Sequence, residues 1–150
     1  MRELLHHAHE QGVYVEWSRA MGENLRGVYE HDVRTVTINA WLNGEQARST
    51  LAHELGHAWY GHTWTSAPHD DNEHERLANE WAAKFLIDAH AYATAEREVG
   101  PHPGALGAAL NVTADLVVVF QRIVRRSANV HAIGFPRPWV ANSYRKARGA

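Results

Sequence analysis

Five residues in the middle of the chain carry its clearest chemistry: His53-Glu54-Leu55-Gly56-His57, an HExxH motif. On a helix, positions i and i+4 lie about 40° apart around the axis. Both imidazoles then leave from one face and can reach one ion. Zinc suits such a pair, because it takes neutral histidine nitrogen and tolerates an open tetrahedral site. Glu54 lies about 100° from His53 on the same wheel. It is too far round to share that ligand position, yet close enough to reach a water on such an ion. That makes it a natural general base. The chain holds 12 histidines, so the motif discriminates less here than in a histidine-poor protein. Its surroundings must decide.

A catalytic zinc also needs a third protein ligand. Glu75 and Asn79 are spaced i, i+4 and so share a helix face. Glu75 can bind the metal while Asn79 hydrogen-bonds an imidazole or the carboxylate. Glu73, His74 and Glu80 compete for the ligand position. Ala78, Ala82 and Ala83 are small and allow two helices to pack closely. Gly56 points the same way, since glycine inside a helix costs about 1 kcal/mol relative to alanine. A cost of that size marks a close approach by another backbone or side chain.

The elements that must position these groups follow from periodicity. Asn43 reads as an N-cap, with Glu45 in the first turn. Leu51, Leu55 and Trp59 recur every four residues, a buried stripe opposite His53 and His57. This helix is expected to reach about His62. Asp70 or Asp71 can cap a second helix, with Glu73 in its first turn. Leu77, Ala78, Trp81, Ala82 and Phe85 form its apolar face, and it is expected to end in the nineties. The break Gly100-Pro101-His102-Pro103-Gly104 follows. Two shorter helices come next, Ala105 to Leu110 and Ala114 to Arg126, with Thr113 capping the latter. The last 24 residues are expected to be irregular, with Phe135 and Trp139 docking on the core. Ahead of the motif, residues 2–11 read as a short helix. Val13 to Trp17 and Leu25 to Glu30 read as strands, and Val33 to Asn39 as the clearest strand, β-branched on alternate positions. His31-Asp32 can turn a hairpin, which predicts an antiparallel sheet.

Composition bounds the rest. A chain of 150 residues suggests one domain. Its 45% hydrophobic and 21% charged residues exclude a largely disordered chain. The absence of cysteine excludes disulfide frameworks, thiolate zinc fingers and cysteine nucleophiles. The longest aliphatic run, around Leu116 to Phe120, is too short to cross a membrane, and MRELLHHAHEQ lacks the apolar stretch of a secretory signal. A cytoplasmic protein is expected. The net charge of −2 hides an asymmetry: residues 1–96 carry 7 Lys or Arg against 15 Asp or Glu, and residues 97–150 carry 8 against 2. The basic end could face nucleic acid or an acidic partner, or could be a solvated tail.

The stretch Thr50-Leu51-Ala52-His53-Glu54-Leu55-Gly56-His57, followed by Glu75-Arg76-Leu77-Ala78-Asn79-Glu80-Trp81-Ala82-Ala83, resembles the ImmA/IrrE family of zinc peptidases. That family pairs "tlaHELgH" with a later "ExxANxFA"; Trp81 stands where phenylalanine is usual. VRTVTIN with Ala40-Trp41-Leu42-Asn43 is similar to the family's strand ahead of the helix. The resemblance covers roughly residues 10–90, and more weakly 103–126. It implies a gluzincin-like arrangement in which His53, His57 and Glu75 hold one Zn2+ per chain and Glu54 is the catalytic base. It also implies a setting in bacteria, phages and mobile elements. Several members cleave a helix-turn-helix repressor, others belong to toxin–antitoxin pairs, and some lack demonstrable peptidase activity.

The expected fold is α+β: a small antiparallel sheet packed on zincin-type catalytic helices, with C-terminal helices completing the core. Residues 1–100 are expected to form the metallopeptidase core, and 101–150 a helical extension and basic tail packed on the same domain. The expected function is a zinc endopeptidase that inactivates a helix-turn-helix repressor in a phage or mobile-element circuit. The alternative is a non-catalytic regulator with structural zinc that binds a repressor, an antitoxin or DNA. No membrane partner is expected. Val33, Thr35, Thr37 and Asn39 are expected on an exposed edge that pairs with extended substrate. Tyr60 and His62 are candidates for the oxyanion donor or cleft wall, with His90 and Tyr92 behind them. His6, His7 and His9 are read as an exposed polar helix face rather than a second metal site. Leu106 to Leu116 resembles half of a helix-turn-helix, with Arg122, Arg125 and Arg126 behind it. The apolar Leu116, Val117, Val119, Phe120 and Ile123 instead favour helices that brace the core.

Overall fold

The computed structural model describes residues 1–63 and 68–132. Helix α1 (Arg2–Glu10) leads into strands β1 (Tyr14–Ser18), β2 (Gly27–Glu30) and β3 (Thr35–Asn39). Five helices follow: α2 (Gly44–Tyr60), α3 (Pro68–Leu86), α4 (Ala89–Val99), α5 (Pro103–Leu110) and α6 (Ala114–Ala132). The fold is α+β, as expected.

The sheet differs from the expectation in one pairing. β2 and β3 form the antiparallel hairpin, closed by the turn through His31 and Asp32. β1, however, pairs with β3 in parallel, Tyr14 opposite Thr35 and Ser18 opposite Asn39. The sheet is therefore mixed, in the order β1-β3-β2. The segment between β1 and β2 is too long for a tight hairpin turn. It carries the chain past the place β3 will fill, and the β2–β3 hairpin then inserts β3 in the middle. The strand expected at an exposed edge is thus the central one. Thr37 spends its hydroxyl on Glu16 Oε1 at 3.0 Å. Asn39 is buried and donates Nδ2–H to the Leu25 carbonyl at 2.9 Å. Thr35 donates its hydroxyl to the carbonyl of Val33, which precedes the strand. None of the four can template an extended substrate.

α2 begins as the sequence suggests. Asn43 Oδ1 accepts from Gln46 N–H at 2.8 Å, and Gln46 Oε1 accepts from Asn43 N–H at 3.2 Å, a reciprocal capping box. Leu51 and Leu55 are fully buried, against Val36 and Ile38 of β3 and Trp81 and Ala82 of α3 in one core. The second long helix is two. α3 starts at Pro68, so Asp70 and Asp71 lie within its first turns rather than at its cap. It stops at Leu86, and Asp88 caps α4 by accepting from the N–H groups of His90 and Ala91.

The C-terminal helices share the same core. Leu106, Val112, Leu116, Val117 and Phe120 are buried in it, as bracing helices require. Three bonds pin their junction to α2: Arg48 Nη1 donates to the Leu110 and Asn111 carbonyls, and Ser49 Oγ accepts from Thr113 N–H at 3.0 Å. α6 continues to Ala132, beyond the expected Arg126. Phe135 and Trp139 lie outside the described residues. No single described helix is long and apolar enough to cross a membrane.

His7 departs from its expected place on an exposed face. Its ring packs among Trp59, Trp81 and Phe85, with centroids 5.8, 5.3 and 5.1 Å away. His6 stays on the exposed side, 3.4 Å from Glu10.

Candidate metal centre

α2 and α3 meet at their smallest residues. A Cβ on Gly56 would sit 2.8 Å from the Ala78 carbonyl oxygen and 2.9 Å from its Cα. That is backbone against backbone, so only glycine permits the contact. The close approach carries the α3 side chains to the α2 motif. His53 Nε2 and His57 Nε2 lie 3.0 Å apart. Glu75 Oε2 lies 3.3 Å from the former, and Glu75 Oε1 3.2 Å from the latter. This is the one group of three or more ligand-type side chains found converging among the described residues. Glu73, His74 and Glu80 do not join it: Glu73 and Glu80 instead pair with Arg76.

The donor set fits zinc. A tetrahedral ion with bonds of 2.0–2.1 Å keeps its ligand atoms about 3.3 Å apart, close to the separations here. Hydrogen bonding points the same way. Asn79 Oδ1 lies 3.0 Å from His53 Nδ1, and an amide oxygen can only accept, so that nitrogen carries a proton. With Nδ1 so occupied, a neutral His53 has a bare Nε2 lone pair to offer a cation, whereas a protonated His53 donates from Nε2 to Glu75 instead. Three such donors repel one another unless a cation stands among them.

Electrostatics separate the two glutamates. Hydrogen bonds from His53 and His57 hold Glu75 well below the usual carboxylate range. Glu54 is only 7% exposed, and burial raises its proton affinity against the pull of His53 and His57. The Tyr29 backbone amide hydrogen-bonds it and stabilises the charged form in part. For His53 burial favours the neutral ring, but hydrogen bonding to Glu75 and the Glu54 charge raise its proton affinity overall.

The centre lines a cleft of about 350 Å³ bounded by Leu25, Gly27, Val28 and Tyr29 on one side and His62, Asp71 and His74 on the other. A second hollow of about 300 Å³ continues past Glu54 towards Arg26, Thr113 and Asp115. β2, not β3, is the sheet edge beside the centre. Asn39 N–H bonds the Arg26 carbonyl at 2.8 Å. In an antiparallel ladder the bonded pairs alternate. Val28 and Glu30 therefore also spend their backbone groups on β3, while Gly27 and Tyr29 turn theirs outward. The short segment around Gly27 reads weakly as a strand, so its role was hidden; the glycine itself was the available signal. A Cβ there would meet Thr50 Cγ2 at 2.6 Å.

Asn79 stands where its spacing from Glu75 predicts, on His53. His62 lines the cleft, with Nδ1 3.0 Å from His57 Nδ1. Burial and the neighbouring His74 and His57 depress its pKa to about 4. Tyr60 is largely exposed and stacks on His62, its ring outside the cleft lining. Tyr92 is tied to Glu96 and Gln121 in the α4–α6 region, away from the centre. His90 is exposed at the start of α4.

No curated protein matches the chain. A family model does: Peptidase_M78, the IrrE N-terminal-like domain, matches residues 8–119, a span that holds every residue of the centre. The chain belongs to the IrrE N-terminal-like family.

Proposed function

We propose that the chain is a zinc-dependent endopeptidase of ImmA/IrrE type. The observation that carries this is the pairing of a three-donor centre with a buried carboxylate beside it: His53, His57 and Glu75 converge, and Glu54 lines the same cleft. Zinc held there would polarise the scissile carbonyl and lower the pKa of a nucleophilic water. Glu54 would hold the proton released by a nucleophilic water and pass it to the leaving amine, a task that suits a carboxylate with raised proton affinity. The outward backbone groups of Gly27 and the outward carbonyl of Tyr29, whose N–H is held by Glu54, align an extended peptide across the cleft by strand addition. The substrate class we propose is a helix-turn-helix repressor in the cytoplasm of a phage or mobile-element host. The family resemblance supports it.

Glu54→Gln tests this reading. Co-expressed with its repressor, the wild-type chain should shorten the repressor and release the promoter. The variant should bind zinc as before but leave the repressor whole. Release at the wild-type level by Glu54→Gln would overturn the peptidase reading in favour of a non-catalytic regulator.

A further inference from the structure

The two imidazoles of the centre are held from behind in different ways. Asn79, on α3, holds His53. The group on His57 comes from α2's own end. Gly61 adopts a left-handed conformation, φ 67° and ψ 33°. Its N–H donates to the Ala58 carbonyl at 3.2 Å, and His62 N–H donates to the His57 carbonyl at 3.0 Å. These are the two reverse bonds of a Schellman cap. In that motif the second residue past the helix folds back on the residue accepting its N–H, often with an apolar contact. Here the contact is imidazole on imidazole, with the two Nδ1 atoms 3.0 Å apart. His62 is itself wedged between rings: His74 stacks on it at 3.9 Å and Tyr60 at 5.4 Å, both nearly parallel. His74 adjoins the ligand Glu75 in sequence, so one stack joins the two ligand-bearing helices.

We propose that His62 is the positioning residue of His57: its Nδ1 accepts a hydrogen bond from His57 Nδ1–H and fixes the tautomer whose bare Nε2 faces the metal. The inference rests on the metal-centre reading and not on peptidase activity. An imidazole that ligates through Nε2 keeps its proton on Nδ1, and the acceptor there sets both tautomer and ring orientation. His62 then carries its own proton on Nε2. The helix cap becomes part of the metal site, because the left-handed turn at Gly61 delivers the acceptor.

The test is zinc affinity of the full chain, measured by chelator competition on wild type, His62→Phe and His62→Gln, with folding followed by circular dichroism. Phenylalanine keeps a stacking ring but offers no acceptor; glutamine offers an acceptor without the ring. His62→Phe should bind zinc about 10–100-fold more weakly, the loss typical of removing a partner of a ligating histidine. His62→Gln should recover a measurable part of that loss. If His62→Phe does not fold, His62→Leu serves the same comparison. Wild-type affinity in the variant lacking an acceptor, or an equal loss with glutamine, would overturn the inference while leaving the metal centre intact. Absence of zinc binding by the wild type would overturn both.

Discussion

Glu54 and His7 show how burial changes what a side chain does. Both are sequestered, and in both burial disfavours the charged form. For Glu54 this has a chemical use, the readiness to take a proton. For His7 it is a liability for stability. Its proton affinity is lowered by burial among indole and phenyl rings and by neighbouring His6, against the partial compensation of Glu10. In the unfolded chain the ring titrates near 6.5. As pH falls below that value the unfolded state binds the extra proton first, so stability falls until pH drops below the lowered native value. Between pH 7 and 5, metal-free His7→Phe should therefore lose less thermal stability, or gain more, than metal-free wild type. Identical pH slopes would contradict this placing of His7. At this scale helical spacing made two groups legible, His53, Glu54 and His57 on one helix and Glu75 with Asn79 on another, and the family resemblance joined them into one site. The position of His7 was not, since its neighbours Trp59, Trp81 and Phe85 come from two other helices.

At the scale of elements, the centre depends on how closely α2 and α3 approach. Gly56 sets that distance, and Ala78 is its counterpart. Gly56→Ala should destabilise the fold by about 1–3 kcal/mol, the usual cost of overpacking. It should also weaken zinc binding, because separating the helices carries Glu75 and Asn79 away from the motif. Chemical denaturation read beside zinc affinity checks this. A variant that loses neither stability nor affinity would show that the contact is not limiting. The N-cap of α2 and the break before α5 could be read from single residues; the reciprocal bond from Gln46 that completes the capping box was not read. The sheet order could not. A β-branched alternation marks β3 as a strand whether it lies at the edge or in the middle, and β2's short segment hides the true edge. Likewise the long pattern after Glu73 gave no sign that Asp88 restarts the helix.

At the scale of the molecule, α6 divides between packing and surface. α6 buries Leu116, Val117 and Phe120, and Arg126 reaches back to Glu80 of α3 at 2.9 Å. The α5–α6 junction also lines the hollow beyond Glu54 through Thr113 and Asp115. The helices that complete the core thus also shape that hollow. The charge asymmetry itself carries little information about this, since charge counts do not distinguish a paired arginine from a free one. A DNA-binding role for the basic end would show a steep loss of affinity with salt, as phosphate contacts release counterions.

Folding brings His53 and His57 of α2 and Glu75 of α3 together as one candidate zinc site. Elemental analysis of untagged protein, purified without added metal or chelator, tests it most directly beside His53→Ala. About one zinc per chain in the wild type, lost in the variant, is the predicted result. A folded wild-type protein that carries no zinc and takes up none when it is supplied would contradict the account.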